Sequence, residues 1–536
     1  MSTEEIAKAL KITAQLMELH EQNPFKIKSI ANAAYKLNKT DIDLQGKTLQ
    51  ELEQIEGIGK SIAGKINELQ TTNNLKELTE MVAITPPGVI EMLAIKGIGP
   101  KKVGQLWREL EIESIGELLY ACNENRLLLL KGFGTKTQAE VKKQIEFFQS
   151  NIGWFHFASA EQFANELVNE LKKKYNTELV SLTGAIRRKC DVIDKIEILI
   201  ASEVAINTNE LENRAKIKIE IINCNESEFY SELFKTTASE NFLIPDFKFQ
   251  ITNSEQELFT LNHLQYIEPE LRESSEIIAL AKENKIPKLI EVTDLKGILH
   301  NHSTYSDGMN TLKEMAEYCK ELGYEYLGIC DHSQSAFYAE GMKIDKIMKQ
   351  HAEIEELNKK LFPFKIFKGV ESDILNDGSL DYPEDILRLF DFIVASVHSN
   401  LKMNEEKATA RLLKAIENPY TTILGHPTGR LLLSRPGYPI DHKKIIDACA
   451  ANGVIIELNA HPYRLDIDWR WIPYCIEKGV KISINPDAHE RQGYHDMYYG
   501  TCAARKGMLT KEMCFNTLSL PEIEKYFITR KQIPTS

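Results

Sequence analysis

With 536 residues, the chain is long enough for three or more domains, each with its own core. Its 43% hydrophobic and 27% charged residues place it with ordinary globular proteins rather than disordered or fibrous ones, and a net charge of −13 counts against a broad basic surface for nucleic acid. No apolar run approaches the ~20 residues of a membrane span. The acidic start MSTEEIAKALKI lacks a signal-peptide layout, and nine scattered cysteines without a CxxC pair argue against a disulfide framework or a cysteine zinc site, so a cytoplasmic protein with reduced thiols is expected; a monomer is expected as well.

In chain order, residues 1–150 read as amphipathic helices. The stretch NPFKIKSIANAAYKL (23–37) predicts one, with Lys26 and Lys28 near its start. Three stretches then repeat one pattern: IEGIGKSIAGKI (55–66), IKGIGPKKVGQL (95–106) and LKGFGTKTQAEV (130–141). Each is an apolar residue, a G-φ-G triplet (φ an apolar residue) and a polar turn into a helix. The glycines permit a tight turn, and the helix start offers free backbone N–H groups and a positive dipole end. That combination suits a phosphate without needing a basic surface. The pattern resembles the helix-hairpin-helix motif, which grips DNA backbone phosphates without reading bases. Gly57, Gly59, Lys60, Gly97, Gly99 and Lys101 are the expected DNA contacts. The third copy reads as either a DNA hairpin or a structural one.

Residues 1–85 are expected to form a helical domain with the first hairpin, and 86–150 a fingers-like helical region. The first module resembles the amino-terminal domain of X-family DNA polymerases. A lysine matching Lys65 is the lyase nucleophile in some members. Nothing in the sequence lowers its pKa, so a solvated or phosphate-contacting lysine is expected.

Residues 151–290 contain LVSLTGAIRRKCDVIDKIEILIAS, an alternating strand entered by two arginines. Residues two apart on a strand share a face, so Lys195 and Glu197 project together. The stretch resembles the palm motif of the X-family polymerases, in which two aspartates hold metal. Gly184, Arg187 and Arg188 match that motif. Ala185 replaces its phosphate-binding serine, Lys195 the first metal-binding aspartate and Glu197 the second. The third carboxylate falls on Glu220, and Thr237 and Ser239 match the segment beside the incoming sugar. Slipping the register by one residue pairs Asp194 with Ile196 and rescues nothing. An ammonium at a two-metal site adds a positive charge where a ligand is needed. An altered palm kept as scaffold is therefore expected, with Lys195 and Glu197 paired and Arg187 and Arg188 holding DNA.

From residue 291 short apolar strands alternate with helices, as in a parallel α/β barrel, and polar clusters sit at the strand ends. Ten of the thirteen histidines lie here. The candidate metal donors are His300, His302, Asp307, His332, Glu371, His398, His426, Asp487 and His489. Six imidazoles beside apolar strands would each cost stability if they lacked partners, and His-x-His suits one ion. The set resembles the polymerase-and-histidinol-phosphatase (PHP) family, and all nine of its ligand positions are filled by competent residues. The resemblance implies a distorted (β/α)7 barrel with two to three divalent ions. The ligands suit zinc, manganese or iron. His300, His302, Glu371 and Asp487 are the expected catalytic set, and Arg430, Arg464 and Arg491 candidate phosphate contacts. His461 is expected beside the ligands. Residues after 500 predict closing helices and a frayed KQIPTS tail.

The order of parts resembles the bacterial X-family polymerases with a C-terminal PHP domain, the polymerase carboxylates being substituted. The fold expected is multidomain: an α-helical hairpin region, an α+β nucleotidyltransferase-like palm and an α/β PHP barrel. The first reading of function is a DNA-repair phosphoesterase, a 3′–5′ exonuclease on gapped, nicked or 3′-ended DNA. Alternatives are an active gap-filling polymerase with an exonuclease, for which Mg²⁺ would be expected at the palm, and a histidinol-phosphatase-like small-molecule phosphatase. A non-catalytic DNA-end scaffold is disfavoured by the nine donors.

Overall fold

The computed structural model describes residues 1–39, 44, 46–55, 57–95, 97–149, 153–204, 206, 208–215 and 217–531. The expected frayed end at 532–536 lies outside the described residues, as do Glu56 and Lys96 of the first two hairpin stretches. The chain forms two compact units, Met1–Phe148 and Gln149–Ser536. No helix among the described residues is long and apolar enough to cross a membrane.

The first unit is helical. Its three G-φ-G triplets adopt one backbone pattern. Gly57, Gly97 and Gly132 have φ of 84°, 99° and 90°, a conformation that side chains other than glycine's resist. The middle residues Ile58, Ile98 and Phe133 are buried, which explains why each is apolar. Gly59 and Gly99 are the N-caps of helices Lys60–Thr72 and Pro100–Leu110, and neither helix start has a side-chain cap. Pro100 fits the first helical turn, where its missing N–H costs nothing.

The second unit begins with a two-residue strand, β1 (Phe155–His156), and a helix, Phe157–Tyr175. Strands β2 (Val180–Thr183), β4 (Lys195–Ala201) and β5 (Lys218–Cys224) make a sheet in the order β2-β4-β5, while β3 (Val192–Ile193) pairs with β1. Strand β4 runs antiparallel to β2 and parallel to β5. Its even residues Ile196, Ile198 and Ile200 join the core with Ala160, Ala164 and Leu167 of the helix. Lys195 and Glu197 therefore face the opposite side of the sheet.

Seven parallel strands follow: β6 (Gly297–Ile298), β7 (Tyr326–Ile329), β8 (Lys365–Asp373), β9 (Phe392–Ser396), β10 (Ile423–Leu424), β11 (Ile455–Asn459) and β12 (Ile482–Asn485). They lie side by side in chain order. Just past the first and last strands, Asn301 bridges Ala488, and the His302 N–H donates to the Ala488 carbonyl at 2.8 Å. The sheet is thus a nearly closed barrel. A Cβ on Gly328 or Gly369 would come 2.4 or 2.5 Å from the Phe392 ring, so both glycines make room for an aromatic side chain. Phe392 stacks on Phe527 of the final helix, Leu520–Lys531, at 5.2 Å between ring centroids. That apolar contact leaves the polar residues for the other end of the strands.

Candidate metal centre

All seven barrel strands deliver polar side chains at or just beyond their carboxyl ends. His300 and His302 follow β6, His332 follows β7, and Glu371 and Asp373 end β8. His398 and His426 follow β9 and β10, and Asp487 and His489 follow β12. Asp307 comes from the loop after His302. These side chains are buried, although nothing in their composition favours it.

Glu371 lies at the centre. Its Oε1 is 2.9 Å from His426 Nε2, 3.1 Å from His398 Nε2 and 3.4 Å from His300 Nε2. Its Oε2 is 2.9 Å from His332 Nδ1 and 3.7 Å from His302 Nε2. Asp487 Oδ1 lies 2.9 Å from His302 and 3.4 Å from His300. Asp307 Oδ1 lies 3.4 Å from His489 and 3.7 Å from His332. Among the described residues of the barrel, three donor groups result: His302, Asp307, His332 and His489; His300, His302, Glu371 and Asp487; His332, Glu371 and His398. In each group the donor atoms lie within 4.8 Å of one another, close enough to share one ion.

The burial makes the set fit metal. Both oxygens of Asp307, both ring nitrogens of His332 and Nε2 of His300 are buried and make no well-directed hydrogen bond among the described residues, although His332 Nδ1 lies 2.9 Å from Glu371. Such groups destabilise a fold unless something satisfies them, and cations would satisfy all of them together. Backbone strain supports this placement, since Asp487 has φ of 53° and His426 of 21°.

The electrostatics divide the histidines. Burial opposes charge on His300, yet Glu457, Asp487 and Glu371 raise its pKa well above the usual range. Burial likewise opposes charge on His398, but Glu371 and Asp373 lift it to about 10. Burial, with His489 and His332 nearby, pushes His302 down to about 3. Burial also works against ionised Glu371, but His398, His300 and His332 hold it well below the carboxylate range. Asp487 is held low against burial by His300 and His302. The carboxylates are thus ionised, and cations would take the place of the protons on the charged imidazoles.

Around the donors stand residues that sequence reasoning missed. Glu457, on β11, is buried and takes His300 Nδ1 at 2.7 Å, the His426 backbone N–H at 2.8 Å and Asn485 Nδ2 at 3.0 Å. Asp373 takes His398 Nδ1 at 2.6 Å, and Asn459 donates to Asp487 at 3.0 Å. The available signal was an acid inside an apolar strand, IIELN, and a second acid two residues beyond Glu371. Arg464 is buried, and its charge adds to burial in lowering the pKa values of His426 and His461. His461 is half-buried and accepts the Tyr463 N–H at 3.2 Å. Arg491 lies over the Tyr318 ring, 5.8 Å from its centroid.

Arg430, a candidate phosphate contact, is held within the protein. Its guanidinium bonds the carbonyls of Arg464 and Leu465 and pairs with Asp468 and Asp191, so it joins the barrel to the palm. Lys65, expected as a solvated or phosphate-contacting lysine, is half-buried. Its ammonium lies against Glu77, which also takes Lys26.

Comparison with known proteins gives a PHP domain at residues 299–461, a helix-hairpin-helix domain at 1–75 and a SAM-like helix-hairpin-helix tandem at 89–146. DNA polymerase/3′-5′ exonuclease PolX of Bacillus subtilis is 31% identical over 98% of this chain and 99% of its own. The chain belongs to the bacterial PolX family. A probable phosphatase of Acetivibrio thermocellus is 30% identical over 35% of this chain and 78% of its own. A histidinol phosphate phosphatase of Lactococcus lactis, solved with zinc, L-histidinol and phosphate, aligns with 40% of this chain and 94% of its own. Its identity of 16% and TM-score of 0.32 are too low to bear on the site.

In this PolX chain the palm carboxylate positions hold an ion triad. Lys195 Nζ lies 2.9 Å from Glu197 Oε1 and 2.8 Å from Glu220 Oε2. Glu197 and Glu220 are register partners on β4 and β5, so their carboxylates stand side by side. Glu197 Oε2 also takes the Ala185 N–H at 3.2 Å and fills the space beside Gly184, where a Cβ would come within 1.7 Å of it. A carboxylate thus occupies the backbone turn at Gly184 and Ala185. Arg187 bonds Thr237 and Glu255. Arg188 bonds Glu273 and the Thr237 carbonyl. Both guanidinium groups are engaged within the protein. Ser239 Oγ donates to the Glu273 carbonyl at 2.8 Å.

In the first unit, Lys60 and Lys101 are exposed at the two uncapped helix starts. A Cβ on Gly59, Gly97 or Gly99 would meet nothing within 4 Å, so open space lies in front of these turns.

Proposed function

We propose that this chain is a metal-dependent DNA-repair phosphoesterase that trims 3′ ends of DNA in the 3′–5′ direction at the PHP centre, and that its palm no longer polymerises. The observation that carries this reading is the contrast between two sites. Eight further donors gather with Glu371, whereas an ammonium sits between the carboxylates of Glu197 and Glu220.

Two to three ions of zinc, manganese or iron would be held by His300, His302, Asp307, His332, Glu371, His398, His426, Asp487 and His489. Bound there, they would activate water near neutral pH and offset charge on the phosphoryl oxygens. The protein's own part is orientation and shielding. Glu457 and Asp373 fix two imidazole rings, and the buried walls keep bulk water from the donors. Arg464 stands ready to face an anion beside His426. The hairpins at Gly57, Gly59, Lys60 and Gly97, Gly99, Lys101 bring gapped, nicked or 3′-ended DNA by its backbone.

The relative from Bacillus subtilis, named for both activities, favours a second reading, a polymerase with an exonuclease. The Lys195 triad and the Glu197 carboxylate over Ala185 weigh against it, because two Mg²⁺ ions and a triphosphate need those places. The phosphatase relative matches about a third of the chain.

The test uses a 5′-labelled oligonucleotide with Mn²⁺. Shortening from the 3′ end that stops with a chelator and is lost in His300→Ala and Asp487→Ala supports the reading. Shortening that persists in both variants contradicts it.

A further inference from the structure

The loop after β7, residues 333–342 (SQSAFYAEGM), borders the metal centre and has a feature that the donor set does not explain. Phe337 is 81% exposed. The loop around it is rigidly tied. Ser335 Oγ donates to Asp373 at 2.9 Å, and its N–H to Asp381 at 2.7 Å. The Met342 N–H donates to the His332 carbonyl at 2.8 Å. Ala336 and Ala339, on either side of the aromatic pair, are buried. A Cβ on Gly341 would come 1.9 Å from the Ser333 carbonyl oxygen, so only glycine closes the loop this tightly.

From that base two rings step outward. Tyr338 lies 6.1 Å from the His332 ring and 6.3 Å from the His398 ring, centroid to centroid. Phe337 lies a further 6.1 Å from Tyr338, edge to face. The loop contains no lysine or arginine, so it brings no cationic side chain to a phosphate. It offers a flat apolar face, held in place, one ring beyond two metal ligands.

We propose that Phe337 is a stacking platform for the nucleobase of the terminal nucleotide, holding it while its phosphodiester reaches the metal centre. The inference rests on the nuclease reading and names what that site recognises. Stacking on an aromatic ring tolerates every base, because each presents a π-face. A fixed platform loses little freedom on binding.

The test measures kcat/KM of the full-length protein with Mn²⁺ on two single-stranded oligonucleotides, one ending in a normal nucleotide and one in an abasic tetrahydrofuran nucleotide. The abasic end gives the platform nothing to hold and reports the state of the metal centre in each variant. The unaltered protein should favour the intact end by about tenfold. Phe337→Ala should collapse that ratio toward one by slowing the intact end, and Phe337→Trp should retain it. A ratio near one in the unaltered protein, a ratio that survives Phe337→Ala, or an equal slowing of both ends would overturn the proposal. If the unaltered protein shortens neither end, the nuclease reading fails and takes this one with it.

Discussion

Glu457 and His300 are joined beneath the metal centre, with the carboxylate Oε1 2.7 Å from the ring Nδ1. The same side chain holds the backbone N–H of His426 through its other oxygen, Oε2. One buried acid on β11 thus sets the direction of a donor after β6 and the position of a donor after β10. A histidine whose far nitrogen is held by a carboxylate is fixed in tautomer and is a more basic ligand.

Glu457→Gln should therefore weaken metal retention by about tenfold, and Glu457→Ala by up to about a hundredfold, with little change in the fold. Competition with a chromophoric chelator reads this directly, without any substrate. Equal retention in both variants would show that His300 needs no such support.

Eight of the nine donors were legible because each stands at or just past the end of an apolar strand, and Asp307 because it follows His302 in the same loop; a repeated strand-end pattern survives in one dimension. The palm substitutions were legible for the same reason, since Lys195 and Glu197 share a face by strand geometry alone. What the sequence did not yield depends on neighbours distant along the chain. Glu457 looks like one acid in a core strand until the barrel brings it 2.7 Å from His300. Arg430 looks like a phosphate clamp until Asp191, 239 residues earlier, appears beside it. Glu197 gives no sign in sequence that it will cover the turn at Gly184 and Ala185. Phe337 sits in a run of ordinary loop residues, and only burial of its flanking alanines marks the ring as held outward.

The palm triad predicts a pH-dependent stability term. Lys195 lowers the pKa of Glu220, to which it is hydrogen-bonded. A carboxylate with a depressed folded pKa stabilises the fold above its unfolded pKa, and that contribution is lost as pH falls through the folded value. Lys195→Met should thus cost about 1 kcal/mol or less at pH 7, since Glu220 is partly exposed and solvent screens the pair. The difference in urea midpoint between the two proteins should shrink as pH falls below the ordinary glutamate range, ~4.3. A difference that grows on acidification would contradict this account of the triad.

The hairpins predict a separation of binding from chemistry. Gly97 has φ of 99°, and its Cβ would meet nothing, so Gly97→Val acts through the backbone turn alone. Gly57→Val, at φ of 84°, strains the first hairpin in the same way. Each variant should bind gapped duplex several-fold more weakly in a fluorescence-anisotropy titration, with strain of about 1–3 kcal/mol setting the scale. Both should keep hydrolysing bis(p-nitrophenyl) phosphate at the PHP centre. Unchanged DNA affinity in both variants would remove the hairpins from the account.

The central claim is that chemistry has withdrawn from the palm and resides in the barrel. Its most direct test is one reaction: full-length protein, Mn²⁺ or Mg²⁺, an end-labelled primer on a gapped duplex, and all four deoxynucleoside triphosphates. The account predicts primer shortening with Mn²⁺ and no product longer than the primer with either ion. A ladder of extended primers that persists in Asp487→Ala and disappears in Glu197→Ala would contradict it.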